Sequence, residues 1–321
     1  MKIVALDGHT LNPGDNPWDP VKELGEFVAY PRTEATDIFS RADGAEILIT
    51  NKVPLNAKMI HSLKRLRFIA ITATGYNIVD IDAARERDIP VSNVPGYSTS
   101  SVAQHAFALL LELTNHVARH STSVHNGDWI RSPDFAYWHA PLTELDGKTL
   151  GIFGFGATGQ ALARIGQALG MKILVSSRTR RETDLAVKWV SIEELAQESD
   201  VLSLHVPQTP ETTGIIDRAF LSQMKPSAYL INTARGGLVS EPDLAAALNE
   251  GKIAGAGLDV ISVEPMSDKN PLYQCRNCII TPHIAWASTE ARKRLMQITA
   301  DNIAAFLRGE PIHVVNDKST A

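Results

Sequence analysis

The 321-residue sequence predicts an α/β protein of two parallel-sheet domains, one inserted into the other, and three observations carry that expectation. The length exceeds the roughly 250 to 300 residues at which a single core usually stops growing. Short apolar runs alternate with helix-patterned stretches along most of the chain, the pattern of parallel strands joined by helical crossovers. Residues 154–159 read Gly-Phe-Gly-Ala-Thr-Gly between an apolar run and a helical stretch, a turn suited to a pyrophosphate. Apolar residues make up 44% and charged residues 21%, so a large core is available and disorder is excluded as the main state.

In chain order, Lys2 to Ala5, Ala45 to Thr50, Arg67 to Thr72 and Ile89 to Ser92 read as strands with helical stretches between them. Asn93-Val-Pro-Gly-Tyr-Ser-Thr99 breaks the alternation with Pro and Gly and marks a hinge, and Ser100 or Ser101 can cap the helix that follows. That helix is expected to run from Ser101 to about Val124, roughly 35 Å at 1.5 Å per residue, with Val102, Ala106, Leu109, Leu110, Leu113 and Val117 giving it an apolar surface. Trp129, Phe135, Tyr137 and Trp138 then crowd the connection from Asn126 to Pro141, which is either a dimer arm or a segment packed over the chain's own core. Thr149 to Phe153 opens a second sheet, continued by Lys172 to Ser176, Lys188 to Val190, Val201 to Leu204, Ala228 to Asn232, Gly255 to Asp259 and a short Ile279-Ile280 strand. A helix from Thr289 to Leu307 returns the chain to the first domain. The expectation is thus two Rossmann-like domains, residues 1–99 with 288–321 binding substrate and the inserted residues 100–287 binding a dinucleotide.

Within the glycine turn each residue type has a physical task. Gly154 permits the tight turn, Gly156 lets backbone approach an anion, and Gly159 lets helix and strand pack closely; Phe155, Ala157 and Thr158 complete the loop at the helix N-terminus. An ordinary glycine-rich turn is the bland alternative. Functional residues of parallel sheets gather beyond the strands' carboxyl ends. Arg235, Glu264 and His283 stand after three separate strands, as redox chemistry on a 2-hydroxy acid would require. An arginine fork can hold a carboxylate, a histidine can pass a proton, and a glutamate beside a histidine favours the charged ring and orients it.

The bulk numbers exclude other classes. A net charge of −5 leaves no basic footprint for nucleic acid. No uninterrupted apolar stretch reaches about 18 residues, so no membrane helix is expected. Met1-Lys-Ile-Val-Ala-Leu-Asp7 enters a strand pattern without a signal-peptide layout, and Asp317-Lys-Ser-Thr-Ala321 is not a peroxisomal address, so a cytoplasmic protein is expected. Cys275 and Cys278 form one C-x-x-C without the further ligands of a zinc site or a thioredoxin-like context, so reduced cysteines and no metal are expected.

The glycine turn, Thr233-Ala-Arg-Gly-Gly237, Gly257-Leu-Asp-Val260 with Glu264-Pro265, and Thr281-Pro-His-Ile-Ala-Trp286 together resemble the D-isomer-specific 2-hydroxyacid dehydrogenases. Thr50-Asn-Lys52, Val94-Pro-Gly-Tyr-Ser-Thr99, Ser101-Val-Ala-Gln-His105 and Asp134-Phe-Ala-Tyr-Trp138 are similar to the glycerate dehydrogenase and hydroxypyruvate or glyoxylate reductase branch. The resemblance runs from about residue 40 to 315. It implies Arg235 for substrate binding and catalysis, and Glu264 paired with His283, the acid/base. It also implies that Ala73-Thr74-Gly75-Tyr76 offers backbone N–H groups to the substrate carboxylate with Asn51 and Lys52 nearby, although Lys52 also reads as a solvated surface lysine. Asp259 is implied to hold the nicotinamide carboxamide, with a turn cap as the other reading, and Trp138 to reach into a partner's active site in a homodimer. The expected cofactor set also includes His205, Pro207, Thr233, Ala234 and Ala285.

One departure bears on the cofactor. NAD-preferring enzymes carry an acidic residue about 18 positions beyond the third glycine, on the ribose 2′-hydroxyl. Here that position is Ser177, followed by Arg178, Arg180 and Arg181. A carboxylate there would repel a 2′-phosphate by roughly 3 kcal/mol per charge pair at about 5 Å and an effective dielectric near 20. NADP(H) preference is therefore expected, with Ser177, Arg178 and Arg180 as contacts; if the arginines are only a solvated turn, NAD is accepted too. The expected activity is reduction of small 2-oxo acids, hydroxypyruvate to D-glycerate and glyoxylate to glycolate. A phosphoglycerate dehydrogenase-like enzyme ranks lower because no cluster of basic residues in the substrate half stands out for a phosphate, and a dinucleotide-responsive co-repressor-like binding protein because long disordered extensions are lacking and the substrate loop is reductase-like.

Overall fold

A computed structural model describes residues 1–317; residues 318–321, the tail of the expected substrate domain and of the C-terminal address reading, lie outside the described residues. The chain divides into two compact units, Met1–Ser98 with the segment from Ala287 onward, and Thr99–Trp286.

In the first unit, β1 (Lys2–Ala5), β2 (Glu26–Ala29), β3 (Ile47–Thr50), β4 (Phe68–Ile71) and β5 (Val91–Ser92) form an all-parallel sheet in the order β2-β1-β3-β4-β5. The sequences Ile-Leu-Ile-Thr and Phe-Ile-Ala-Ile of β3 and β4 are buried at every position, because helices cover both faces and leave no polar side to alternate. Asn56 and Asp80 cap two of those helices through the Met59 and Ala83 amides. The helix Thr289–Leu307 closes the unit, with Phe306 stacked on Phe68 of β4 at 4.6 Å between ring centres. β2 was not among the expected strands. It is an edge strand of four half-exposed residues starting on a glutamate, so its apolar signal is weak although its backbone pairs in register with β1. The strand order reverses between β1 and β3, the topological switch point at which such sheets bind ligands.

In the second unit, β6 (Thr149–Phe153), β7 (Lys172–Ser176), β8 (Val187–Trp189), β9 (Val201–Leu204), β10 (Tyr229–Asn232), β11 (Gly255–Leu258) and β12 (Cys278–Ile280) pair in parallel in the order β12-β11-β10-β9-β6-β7-β8. Its switch point lies between β6 and β9, so the glycine turn leaving β6 opens on the crevice. Two apolar clusters, one on each face, bury the sheet.

The single helix expected from Ser101 to about Val124 is two helices, Thr99–Asn115 and Val117–His125. His116 between them is left-handed at φ 50°, and the Glu112 carboxylate accepts from the Ala118 amide where the second helix starts. No Gly or Pro marks the break, which is why the pattern runs through it. Beyond it the aromatic connection is laid against the second helix by the buried Ser123 hydroxyl, which donates to Asp128 (2.5 Å), lies 3.0 Å from the Tyr137 hydroxyl and 2.7 Å from His139 Nε2. Tyr137 is half-buried, whereas Trp129, Ile130, Phe135 and Trp138 stand exposed, Phe135 at 92%. This chain's own core therefore does not cover them.

Among the described residues no helix is long and apolar enough to cross a membrane, and no group of three or more His, Cys, Asp or Glu side chains could hold a metal ion. Cys275 and Cys278 are free thiols; burial pushes Cys278 up to about 12, so it is inert at neutral pH.

Candidate active site

The second unit brings the glycine turn, Arg235, Glu264 and His283 to the carboxyl edge of one sheet. Gly154 is left-handed (φ 99°), and a Cβ there would lie 2.6 Å from the carbonyl of His205, so the turn after β6 is pressed against the chain leaving β9. Gly159 backs directly onto the Gly154 carbonyl. Gly156 differs from both. A Cβ at Gly156 would meet nothing within 4 Å, so nothing in the protein demands a glycine there, while a ligand lying close over the backbone would. Gly156 is also the N-cap of the helix Ala157–Ala168 and supplies no side-chain bond, which leaves the first-turn N–H groups near Ala157 and Thr158 for an anion. Phe155 is fully buried and meets Trp189 edge-on at 5.3 Å, so its side chain is core and only its backbone faces the turn. A second feature fits a bound dinucleotide: the Thr233 hydroxyl, just past β10, is buried without a hydrogen-bond partner among the described residues. Such a group costs about 1–3 kcal/mol until something satisfies it.

Ser177 follows the last residue of β7, half-buried, and Arg178 and Arg180 are exposed beyond it. The Arg180 guanidinium lies over the Trp189 ring at 5.8 Å. Glu211 is held below the usual carboxylate range, first by the Thr209 hydroxyl and in smaller part by the charge of Arg178. His205 lies behind the turn with Nε2 2.9 Å from the Ser203 hydroxyl; burial pushes it down to about 4, so it is neutral at physiological pH. The Pro207 carbonyl accepts from the Thr212 hydroxyl.

Arg235 is exposed at the turn after β10, and its carbonyl accepts from the Asn232 amide while the Ala234 N–H donates to Asn232 Oδ1. Its guanidinium donates to the Ala234 carbonyl at 2.6 Å and makes no ion pair among the described residues. The next residue, Gly236, lies against the Ile261 and Ser262 backbone, where a Cβ would come within 1.9 Å. The arginine turn and the loop leading to Glu264 are thus locked side by side. Glu264 Oε1 accepts from the Ile261 amide at 3.4 Å and Oε2 lies 2.7 Å from His283 Nδ1. With Nδ1–H donating to the carboxylate, Nε2 is the nitrogen left to face a substrate. His283 is left-handed (φ 56°), which costs an L-residue about 1 kcal/mol, and its amide donates to the carbonyls of Asp259 (2.8 Å) and Thr281 (2.9 Å), which hold it there.

Asp259 is engaged at both carboxylate oxygens. Its side chain is buried; Oδ1 accepts from the Thr281 hydroxyl (2.6 Å) and Ile284 amide (2.9 Å), and Oδ2 from the Ala285 amide (2.8 Å). Burial works to raise its pKa, but hydrogen bonds from His105, Thr281 and the two amides together outweigh it and keep the carboxyl below the usual range. The turn-capping reading describes this geometry. Ala285 is buried too, its carbonyl accepting from Ser101 Oγ at 2.6 Å.

In the first unit, Asn51 and Lys52 follow β3 at the switch point. The Asp7 carboxylate, just past β1, accepts from the amides of Asn51 (2.8 Å), Lys52 (2.5 Å) and Val53 (3.1 Å) and so sets this loop. Asn51 is buried with Nδ2 donating to the Thr72 carbonyl, so it acts here as a brace; Lys52 is exposed. Thr74 is pinned by its hydroxyl on the Val94 carbonyl and by Asn93 on its own carbonyl, which presents the Thr74–Gly75 backbone at the end of β4. Asp7 and His105 were not singled out from sequence. The signal for Asp7 was an acidic residue two positions past β1; for His105 it was the place at the end of Ser101-Val-Ala-Gln-His105, although a histidine in an apolar helix by itself reads as packing.

Known proteins are similar to this chain over nearly its whole length. Residues 107–285 match the model of a family described as D-isomer specific 2-hydroxyacid dehydrogenase, NAD binding domain. A hydroxypyruvate reductase of Blautia hydrogenotrophica is 48% identical over 321 residues, covering 98% of this chain and 100% of its own length. A glycerate dehydrogenase of Methylorubrum extorquens is 40% identical over 320 residues, covering 98% of each. Among solved structures, an NADPH-dependent glyoxylate/hydroxypyruvate reductase of Sinorhizobium meliloti, in complex with NADP and malonate, aligns with a TM-score of 0.85 at 30% identity, over 99% of this chain and 97% of that one.

Proposed function

Because the chain belongs to the D-isomer-specific 2-hydroxyacid dehydrogenase family, we propose that it is an NADPH-preferring reductase of small 2-oxo acids, taking hydroxypyruvate to D-glycerate and glyoxylate to glycolate. The observation that carries the chemistry is the His283–Glu264 pair at 2.7 Å. The nicotinamide, when bound, supplies the hydride that reaches the carbonyl carbon. Arg235, with no ion pair among the described residues, offers its fork to the substrate carboxylate and steadies the negative charge that grows on the carbonyl oxygen. His283 enters charged, gives its Nε2 proton to that oxygen and leaves neutral, with Nδ1–H still on Glu264. Glu264 thereby fixes the ring's orientation through the whole step.

The cofactor preference rests on Ser177, which removes the repulsion a carboxylate would exert on a 2′-phosphate, and on Arg178 and Arg180 beside it. Thr74 and Gly75 offer backbone to the substrate carboxylate, with Lys52 adding positive charge nearby. The uncovered Trp129, Phe135 and Trp138 support a homodimer in which the arm packs on a partner and Trp138 reaches its substrate site.

Initial rates with glyoxylate, hydroxypyruvate, pyruvate and phosphohydroxypyruvate, each with NADPH and NADH, test the reading. Rapid NADPH oxidation with the first two is expected. Preference for NADH would remove the cofactor assignment and leave the chemistry standing; preference for phosphohydroxypyruvate, or no turnover with any pair, would overturn the substrate assignment.

A further inference from the structure

The helix Thr99–Asn115 crosses β11 unusually closely. At Gly257, in the middle of that strand, a Cβ would lie 2.9 Å from the Cβ of Leu109. One turn earlier on the same helix face stands His105, which this close approach carries to the strand's carboxyl end. Its Nε2 lies 2.9 Å from the Thr281 hydroxyl and 3.4 Å from Asp259 Oδ1.

The direction of each bond follows from what the groups can give. Ionised Asp259 can only accept, and Thr281 spends its hydroxyl proton on it at 2.6 Å. Thr281 Oγ1 therefore accepts from His105, whose Nε2 must carry hydrogen. Asp259 in turn receives the Ile284 and Ala285 amides, and its backbone carbonyl receives the His283 amide. Three contacts to the buried carboxylate and one to the backbone carbonyl of Asp259 thus fix the segment from Thr281 to Ala285, and His283, in its left-handed conformation, lies at the centre of that segment. On the other side, Ser101 of the same helix donates to the Ala285 carbonyl, so both ends of the segment are tied to one helix.

We infer that His105 is a positioning residue for His283, acting through Thr281 and Asp259 to hold the histidine loop at the angle from which Nε2 reaches the substrate. The inference rests on the reading of His283 as the proton donor. His105 touches neither His283 nor Glu264 through any of these bonds and moves no proton itself. Its Nε2–H is the donor that Thr281 Oγ1 accepts while turning its own proton onto Asp259; without it the hydroxyl is no longer held in that direction, the buried carboxylate loses the Thr281 donor, and the loop relaxes to compensate.

The test compares His105→Ala, His105→Gln and Thr281→Val with wild-type enzyme, reading kcat and KM for glyoxylate, NADPH affinity by fluorescence, and melting temperature. Misplacing a proton donor by about 1 Å is expected to lower kcat roughly 10- to 100-fold in His105→Ala, with NADPH affinity retained. His105→Gln, whose amide N–H can replace Nε2–H, should recover most of the loss. Thr281→Val should match His105→Ala, and combining the two should cost little more than either alone, because they break one chain of contacts. A wild-type kcat in His105→Ala, a His105→Gln variant as slow as His105→Ala, or fully additive losses in the double variant would each overturn the inference. His283→Ala, run alongside, separates the two levels: turnover retained there removes the reading of His283 itself, whereas an inactive His283→Ala beside an unaffected His105→Ala removes only the role of His105.

Discussion

Gly236→Ala isolates the contact that sets the arginine turn against the glutamate loop. The added Cβ would lie 1.9 Å from the Ile261 carbonyl carbon, 2.0 Å from its oxygen and 2.4 Å from the Ser262 nitrogen. All three are main-chain atoms, so no rotamer change relieves the overlap. Ordinary contact begins at 3.4 Å, so the two segments must separate by 3.4 − 1.9 = 1.5 Å. Whichever moves, Arg235 or the chain leading to Glu264 moves with it. A displacement of about 1 Å in catalytic groups costs on the order of 100-fold in rate, and overpacking costs about 1–3 kcal/mol of stability. Steady-state kinetics with glyoxylate at saturating NADPH should show kcat/KM reduced by about two orders of magnitude, accompanied by a lower melting temperature. A variant with wild-type kcat/KM and wild-type melting would refute the reasoning, since the overlap could not then exist as placed.

Gly156→Ala should behave in the opposite way: with no protein atom within 4 Å of the new methyl the fold loses no more than about 1 kcal/mol, at the helix cap, while NADPH affinity falls; normal affinity by titration would mean that no ligand lies over this backbone. Ser177→Asp should move the ratio of kcat/KM for NADPH over NADH towards NADH by up to roughly 100-fold, the equivalent of about 3 kcal/mol, and an unchanged ratio would discard the electrostatic argument. His205 carries a pH dependence. Its folded pKa of about 4 lies below the ordinary value of 6.5, so the unfolded chain binds a proton first; the stability contribution is complete above pH 6.5 and is lost as pH falls through that range towards 4. The loss amounts to roughly 3 kcal/mol at most. Urea unfolding at pH 7.5 and pH 4.5 should show this loss in wild type and a smaller one in His205→Asn; parallel losses in the two proteins would assign the acid sensitivity elsewhere.

Much of the architecture was legible because it depends on local chemistry. Completely buried strands such as Ile47–Thr50 and Phe68–Ile71 write themselves as unbroken apolar runs, and the glycine turn needs its residue types at fixed spacing. Two features were not legible. β2 owes its existence to pairing with β1 rather than to its own half-exposed residues, and the break at His116 owes nothing to Gly or Pro. At β2 a long-range pairing made a strand of a weak local pattern, and at His116 a left-handed residue and the Glu112 carboxylate break a helical pattern that shows no interruption. The site divides in the same way: Arg235, Asp259, Glu264 and His283 could be named as residue types at or after strand ends, but that both oxygens of Asp259 accept from the loop behind His283 is visible only in the structure.

The sequence by itself determined the fold class, the two parallel sheets, the family and the residues proposed to carry chemistry, because hydrophobic period, glycine spacing and side-chain chemistry are properties of short stretches of chain. Only the tertiary structure decided that His283 and Glu264, 19 positions apart, meet at 2.7 Å, that Asp7 grips a loop 44 to 46 positions away, and that His105 reaches the histidine loop from 176 positions upstream. Such meetings are set by how helices and strands pack, and a contact between residues distant in sequence leaves no periodic trace in either segment.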